Sequence, residues 1–316
     1  MRRVQVISAL VLCVAALGFG QNNLSTQIQQ VGSTIGQAYL QPLGNAFGAD
    51  INSGFFQSAA IQDGFHLYIG AKVMGAQIPD ADRTMNISYN DQNAVFPGYS
   101  GPASVVASGP TVFGNQNTKG VATITYKNNL GTHVLTDSTI AGVTNISIAP
   151  LVMPQIGIGT IFGTDFVGRY FPKTSIGNYG SIGFWGFGVR HSISQYLHGA
   201  SPVDIAVQLG WQGLTIQDSL GNNLISTKSF LANVEASKTF AILTIYGALQ
   251  KESSTMDVSY TFTSNGISLP IAFSLDEKNT FRGVIGASLS LGPILINADY
   301  DAGSTTIFSG GLGLSF

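Results

Sequence analysis

His191 adjoins Ser192, and a serine served by a histidine is the usual source of a hydroxyl nucleophile. Neighbours on a strand point to opposite faces, so these two cannot act on each other. His66, His133 and His198 are scattered, with no histidine–glutamate spacing of the zinc-binding kind. No Gly-x-Ser-x-Gly elbow and no phosphate-cradling glycine loop occurs. The residues therefore predict no catalytic centre, no metal and no cofactor, and a protein that is not an enzyme.

The remaining candidates are charges. Around Asp165 and Arg169, the apolar residues Ile158, Phe162, Phe166 and Tyr170 share one face and leave the two ions on the other. The same alternation turns Arg190, Asp204, Glu235, Arg282 and Asp299 to a common inner side. Two readings stay open for these seven: they line a permeation path, or they pair with one another to hold a filled interior together, since a buried arginine must find partners.

Strands must position them. From Phe65 the apolar period is two: Phe65, Leu67, Ile69, Ala71 and Val73 oppose His66, Tyr68 and Lys72. Residues 203–212, 281–291, 294–301 and 306–316 alternate likewise, with Gly292-Pro293 as a turn. Runs of about 10 to 12 residues exceed the five or six usual in globular sheets and suit a tilted membrane strand. Residues 91–118 carry Pro97, Gly98, Gly101, Pro102, Gly109 and Pro110 and read as a long external loop.

Before the strands, Arg2, Arg3 and the largely apolar run Val6 to Leu17, closed by Gly18-Phe19-Gly20, predict a cleaved signal peptide over residues 1–20. Twelve residues are too few to span a bilayer, which takes roughly 20. Cys13, the sole cysteine, lies inside that run, so the mature chain holds no thiol. Residues 21–60 are expected to form an amino-terminal plug or cap. Leu24, Ile28, Val31 and Ile35 recur at helical spacing, and Gln41-Pro42-Leu43-Gly44 follows as a break.

Only 9% of the 316 residues are charged, yet beyond the signal peptide no apolar run is long enough for a spanning helix. A membrane barrel reconciles the two facts, because its strands alternate lipid-facing and lumen-facing residues. The net charge of −2 gives no footing for nucleic acid. The expected fold is all-β: a closed antiparallel transmembrane barrel over residues 61–316, of about 12 strands (10–14) at about 20 residues each, with a helix-containing plug. Trp185, Trp211, Tyr170, Tyr246 and Tyr300 are assigned to strand ends or the lipid face as interfacial girdles.

The closing strand resembles the terminal strand of bacterial outer-membrane proteins. Phe308, Leu312, Leu314 and Phe316 match, and Gly310 departs from the pattern. That resemblance implies recognition by the barrel-assembly machinery and a place in the bacterial outer membrane, in contact with its lipid. Tyr39-Leu40-Gln41-Pro42-Leu43-Gly44, Asn52-Ser53-Gly54-Phe55-Phe56, Gly186 to Ile193, Pro202-Val203-Asp204 and Ser237-Lys238-Thr239-Phe240 resemble an uncharacterised bacterial outer-membrane β-barrel family known only as a domain of unknown function. A more distant likeness is to the long-chain fatty-acid transporter barrels, whose Asn-Pro-Ala hatch motif is absent here. The function expected is passive passage or binding of a small ligand, hydrophobic ones included. The alternatives are a structural barrel whose loops bind another envelope protein, and an outer-membrane enzyme.

Overall fold

A computed structural model describes residues 33–62, 64–96, 99–175, 180–197, 201–264 and 267–316. The predicted signal peptide, Leu24, Ile28 and Val31 lie outside the described residues. Among the described residues, fifteen strands follow the α-helix α1 (Ser33–Ile51): β1 (His66–Gln77), β2 (Thr84–Phe96), β3 (Tyr99–Pro110), β4 (Lys119–Asn128), β5 (Gly131–Ala141), β6 (Ile148–Gly159), β7 (Thr164–Ser175), β8 (Ser181–Ser192), β9 (Asp204–Gln217), β10 (Asn223–Phe240), β11 (Leu243–Ser264), β12 (Ile267–Asp276), β13 (Phe281–Leu291), β14 (Ile294–Ala302) and β15 (Ile307–Ser315).

Ten of them close an antiparallel ring in the order β1-β6-β7-β8-β9-β10-β11-β13-β14-β15. Closure pairs β1 with β15, from Tyr68 opposite Ser315 to Ala76 opposite Ile307. Next to the first of those pairs, Phe316 and Leu67 exchange both backbone hydrogen bonds at 2.9 Å. Phe308, Leu312, Leu314 and Phe316 point outward, with Phe316 67% exposed, while Ile307 and Ser309 are buried on the inside. The alternation read from sequence thus sorts the strand's two faces.

Ten strands is the low end of the expected range, and the reason is specific. Residues 84–141 leave the barrel and form their own meander, β2-β3-β4-β5. The stretch read as a loop, 91–118, holds the end of β2 and all of β3. In β3 Ala103, Val105 and Ala107 alternate with Ser104, Val106 and Ser108, and pairing with β2 and β4 overrides the flanking prolines and glycines. Val112 N donates to Tyr39 O at 3.2 Å and Tyr39 OH donates to Ala141 O at 3.0 Å, which docks the meander onto α1. Met85, Val112, Phe113, Ile140 and Val143 share one core with Leu40 and Leu43 of α1 and with Met74, Leu151, Phe184 and Ile225 of the barrel.

The helix also differs from its expected place. It runs through Pro42 instead of stopping there. An internal proline costs a helix one hydrogen bond and a steric clash. Here 12 of the 19 residues are buried, Tyr39, Leu40 and Leu43 among them, so packing on several sides outweighs that cost. A helix enclosed on several sides needs no polar face, so the amphipathic signal sought in the sequence is missing from it.

Three of the four connections at one end of the barrel are short, 160–163, 241–242 and 292–293, and the fourth, 193–203, is longer. The meander leaves from the opposite end. There β11 runs on past the ring, and its residues 255–264 pair with β12. β12 and β13 are two halves of one strand interrupted at 277–280, where Glu277 N bonds Ser254 O and Glu252 N bonds Thr280 O, both at 3.0 Å.

Candidate functional site

The lumen is occupied by the chain's own amino-terminal segment. α1 enters from the meander end, and residues 52–62 continue towards the short turns, where β1 begins. At least eight of the ten wall strands hydrogen-bond this segment, through Lys72, Gln155, Arg169, Arg190, Gln212, Ser237, Gln250 and Arg282. Polar inward side chains thereby satisfy backbone groups that a loop in a confined lumen would otherwise leave bare.

The last turn of α1 is held by two guanidinium groups. Arg169 Nη1 donates to Ile51 O at 3.1 Å and Nη2 to Ser53 O at 2.8 Å, while its carbon lies 3.9 Å from the centre of the Phe55 ring. Arg282 Nη2 donates to Ala49 O at 2.8 Å, and Nη1 meets the Ser53 hydroxyl. The free carbonyls of a helix end carry partial negative charge, and cations there are favourable. Arg282 also pairs with Asp301 at 2.9 Å and with Glu252. Arg169 takes amide oxygens instead, Gln155 Oε1 at 2.9 Å and Gln212 Oε1 at 3.4 Å.

Nearer the short turns, Arg190 bridges Glu235 at 2.7 Å and Asp165 at 3.2 Å and reaches Ser58 O of the plug. His66 Nε2 lies 3.2 Å from the other Asp165 oxygen. Asp299 accepts from Tyr246 OH at 2.7 Å and Asn297 Nδ2 at 3.2 Å, and Lys72 Nζ donates to Asn297 Oδ1 at 2.7 Å and Gln57 Oε1 at 3.1 Å. Of the seven sequence candidates, Asp165, Arg169, Arg190, Glu235, Arg282 and Asp299 are thus buried in the lumen. Asp204 lies half-buried at the rim, across from Ser237 and apart from these networks among the described residues.

Selecting for charge alone overlooked most partners. Lys72, Glu252 and Asp301 share the inward parity of their strands, as do Gln155, Gln212 and Gln250. Tyr246 is a correction: it is buried and turned inward onto Asp299, and its ring covers Gly286, whose missing side chain makes the room. Trp185, Trp211, Tyr170 and Tyr300 face outward.

The plug helix docks on the interruption between β12 and β13. Gln41 Nε2 donates to Asp276 O at 2.9 Å, and Lys278 N donates to Asn45 Oδ1 at 3.3 Å. Gly48 lies against the Glu277 carboxylate, and a β-carbon there would also stand 3.0 Å from Ser254 Cβ. Glu277 lies past the apolar outer belt, where the outward residues of β11 turn polar at Lys251 and Ser253. Burial, reinforced by the Glu252 carboxylate, pushes its carboxyl up to about 9.

At the short-turn mouth a cavity of about 390 Å³ remains between plug and wall. Phe55, Gln57, His66, Tyr68, Arg190 and Ser288 are among the groups that line it. Its size falls in the range of small-molecule pockets. His191 is engaged by Thr164 Oγ1 at 2.8 Å and Tyr196 OH at 2.9 Å, and Ser192 is buried on the opposite face. Among the described residues no three His, Cys, Asp or Glu side chains form a group that could hold a metal, and no helix is long and apolar enough to cross a membrane.

These features define a closed antiparallel β-barrel that encloses its own amino-terminal segment. The chain belongs to the Family of unknown function (DUF6588), which it matches over residues 1–316. No curated protein matches it. Among solved structures it is similar to a loop-deletion mutant of OmpT, an outer membrane protein of Vibrio cholerae, at 10% identity and a TM-score of 0.27, covering 80% of this chain and 98% of that one. The β-domain of the Bordetella autotransporter BrkA gives 12%, 0.24, 80% and 100% for the same measures, and OccK11 (OpdR) of Pseudomonas aeruginosa gives 10%, 0.20, 83% and 99%. At these scores the likenesses carry no argument, and the fold rests on the strand pairing above.

Proposed function

We propose that this protein is a bacterial outer-membrane barrel, exported by a signal peptide over residues 1–20 and inserted by the barrel-assembly machinery through its closing strand. Its plug holds the lumen shut at the meander end and leaves a small-ligand vestibule at the other. An outward belt of Ile69, Val73, Phe187, Leu249, Ile285 and Leu312 supports immersion in lipid, since a water-soluble surface seldom exposes so continuous an apolar band. Short turns face the periplasm and longer excursions face out in such barrels, which directs the vestibule to the periplasm and β2–β5 to the exterior.

The observation that carries the reading is the bonding of residues 49–59 to the wall, with the vestibule left beneath. Passage of a small solute, hydrophobic ones included, then requires the plug to shift, and selection falls to the width and lining of the lumen. Deletion of residues 21–60 in planar bilayers tests it: conductance should rise from near silence to steady channel currents. A silent deletion mutant that keeps heat-modifiable migration would sink the passage role. A second reading, a barrel that binds another envelope protein, draws on the exposed Val106, Val121, Val134 and Leu135 of the meander. It expects a co-purifying partner that is lost when the 91–118 stretch is trimmed.

A further inference from the structure

Four buried carboxylates gather round one guanidinium beneath the plug helix. Arg282 contacts Glu252 and Asp301 directly, and Asp50 of α1 and Glu277 of the strand interruption lie within its field. All four are at most 6% exposed. Ionised together, they would leave three negative charges uncompensated in a confined space, which a protein interior does not tolerate. Hydrogen bonding round them is sparse: the Ala76 amide faces Asp50, the Asn52 side chain faces Glu277, and Ser53 and Arg282 face Asp301. A neutral carboxyl tolerates so few donors in a buried place better than a carboxylate does, because it carries no charge to desolvate.

We propose that protons held on Asp50 and Glu277 latch the plug to the wall, the latch closed while they are held and released when they are lost to alkaline water. Asp50 is the only charged residue of α1, so the plug carries one half of the latch and the barrel the other. Gly48 brings the helix against the Glu277 carboxylate, and ionisation of Asp50 sets its charge against that of Asp301 on the wall.

The other charges near α1 have different occupations. On β11 Asp257 accepts from Ser274 at 2.6 Å, and on β12 Asp276 accepts from Thr255 at 2.7 Å, both on the outer side. Lys278 and, on β10, Lys228 point outward. Glu235 of β10 belongs to Arg190, and Lys72 of β1 belongs to Asn297 and Gln57. β6 has no ionisable side chain. Of the meander strand nearest the helix, Asp91 adjoins Tyr89, which bonds Thr34 at the far end of α1.

The test places a nitroxide on Gln37→Cys, an exposed position of α1, and follows label mobility in the folded protein from pH 5 to 10. Release of one proton should raise the ratio of mobile to immobile label by about tenfold per pH unit below the latch pKa. Asp50→Asn with Glu277→Gln should flatten that response while the barrel keeps heat-modifiable migration. An unchanging wild-type spectrum, an equal response in the double variant, or mobility that appears only as the barrel itself unfolds would each overturn the latch.

Discussion

Arg169 on β7 and Arg282 on β13 stand five strands apart round a ring of ten, on opposite walls, and both donate to the carbonyls that end the plug helix. The two differ in company. Arg282 is shared with two carboxylates, whereas Arg169 has only neutral acceptors and an aromatic ring.

That difference predicts unequal costs. Arg282→Ala strands Glu252 and Asp301 and should cost about 3–5 kcal/mol. Arg169→Ala strands no buried charge, only neutral acceptors that water entering the vacated space can serve, and should cost less. The temperature at which gel migration changes from folded to unfolded reads both. An Arg282→Ala barrel as stable as wild type contradicts the clamp.

Gly48→Leu drives a side chain into Glu277 and Ser254. Overpacking of this kind costs about 1–3 kcal/mol, and release of the helix is the cheapest relief. Open-channel events should become more frequent in planar bilayers, with the barrel still heat-modifiable. Unchanged conductance together with unchanged stability would show that the helix accommodates the side chain in place.

Arg190 and Glu235 form a buried pair that invites a double-mutant cycle. Arg190→Met leaves Glu235 and Asp165 without their cation, and Glu235→Met leaves Arg190 short of an anion, so each should cost about 3–5 kcal/mol alone. The double substitution should cost clearly less than the sum. Additive effects would mean that the two groups act independently.

Stability should fall as pH rises. Glu277 has an ordinary carboxyl value of 4.5 and is raised to about 9 in the folded barrel, so the fold holds a proton that the unfolded chain gives up. The contribution is fully present below pH 4.5 and is lost as pH rises through about 9. The decline is at most about 1.4 kcal/mol per pH unit. Glu277→Gln should unfold at a higher temperature than wild type at pH 8 and at a similar one at pH 4.5. Parallel curves for the two proteins would remove Glu277 as the cause.

The readable and unreadable parts of this chain divide along physical lines. A strand between lipid and lumen repeats every two residues, so the faces of Phe308, Leu312 and Leu314 and the inward turn of Arg169 and Arg282 were open to inspection. The meander was hidden because Val105, Ala107 and their neighbours pair only with strands that are themselves weakly patterned. Tyr246 was misplaced because an aromatic ring suits a lipid interface and a glycine-lined lumen equally well.

The amino-acid sequence alone determined an alternating barrel, its outward closing strand and a set of inward charges, because each is a local consequence of strand geometry. Only the tertiary structure decided that ten strands close the ring, that α1 continues through Pro42, and that Arg169 and Arg282 meet at its end. Those outcomes depend on residues more than a hundred positions apart in the chain. The energy that selects among them comes from filling one lumen, which no local pattern records.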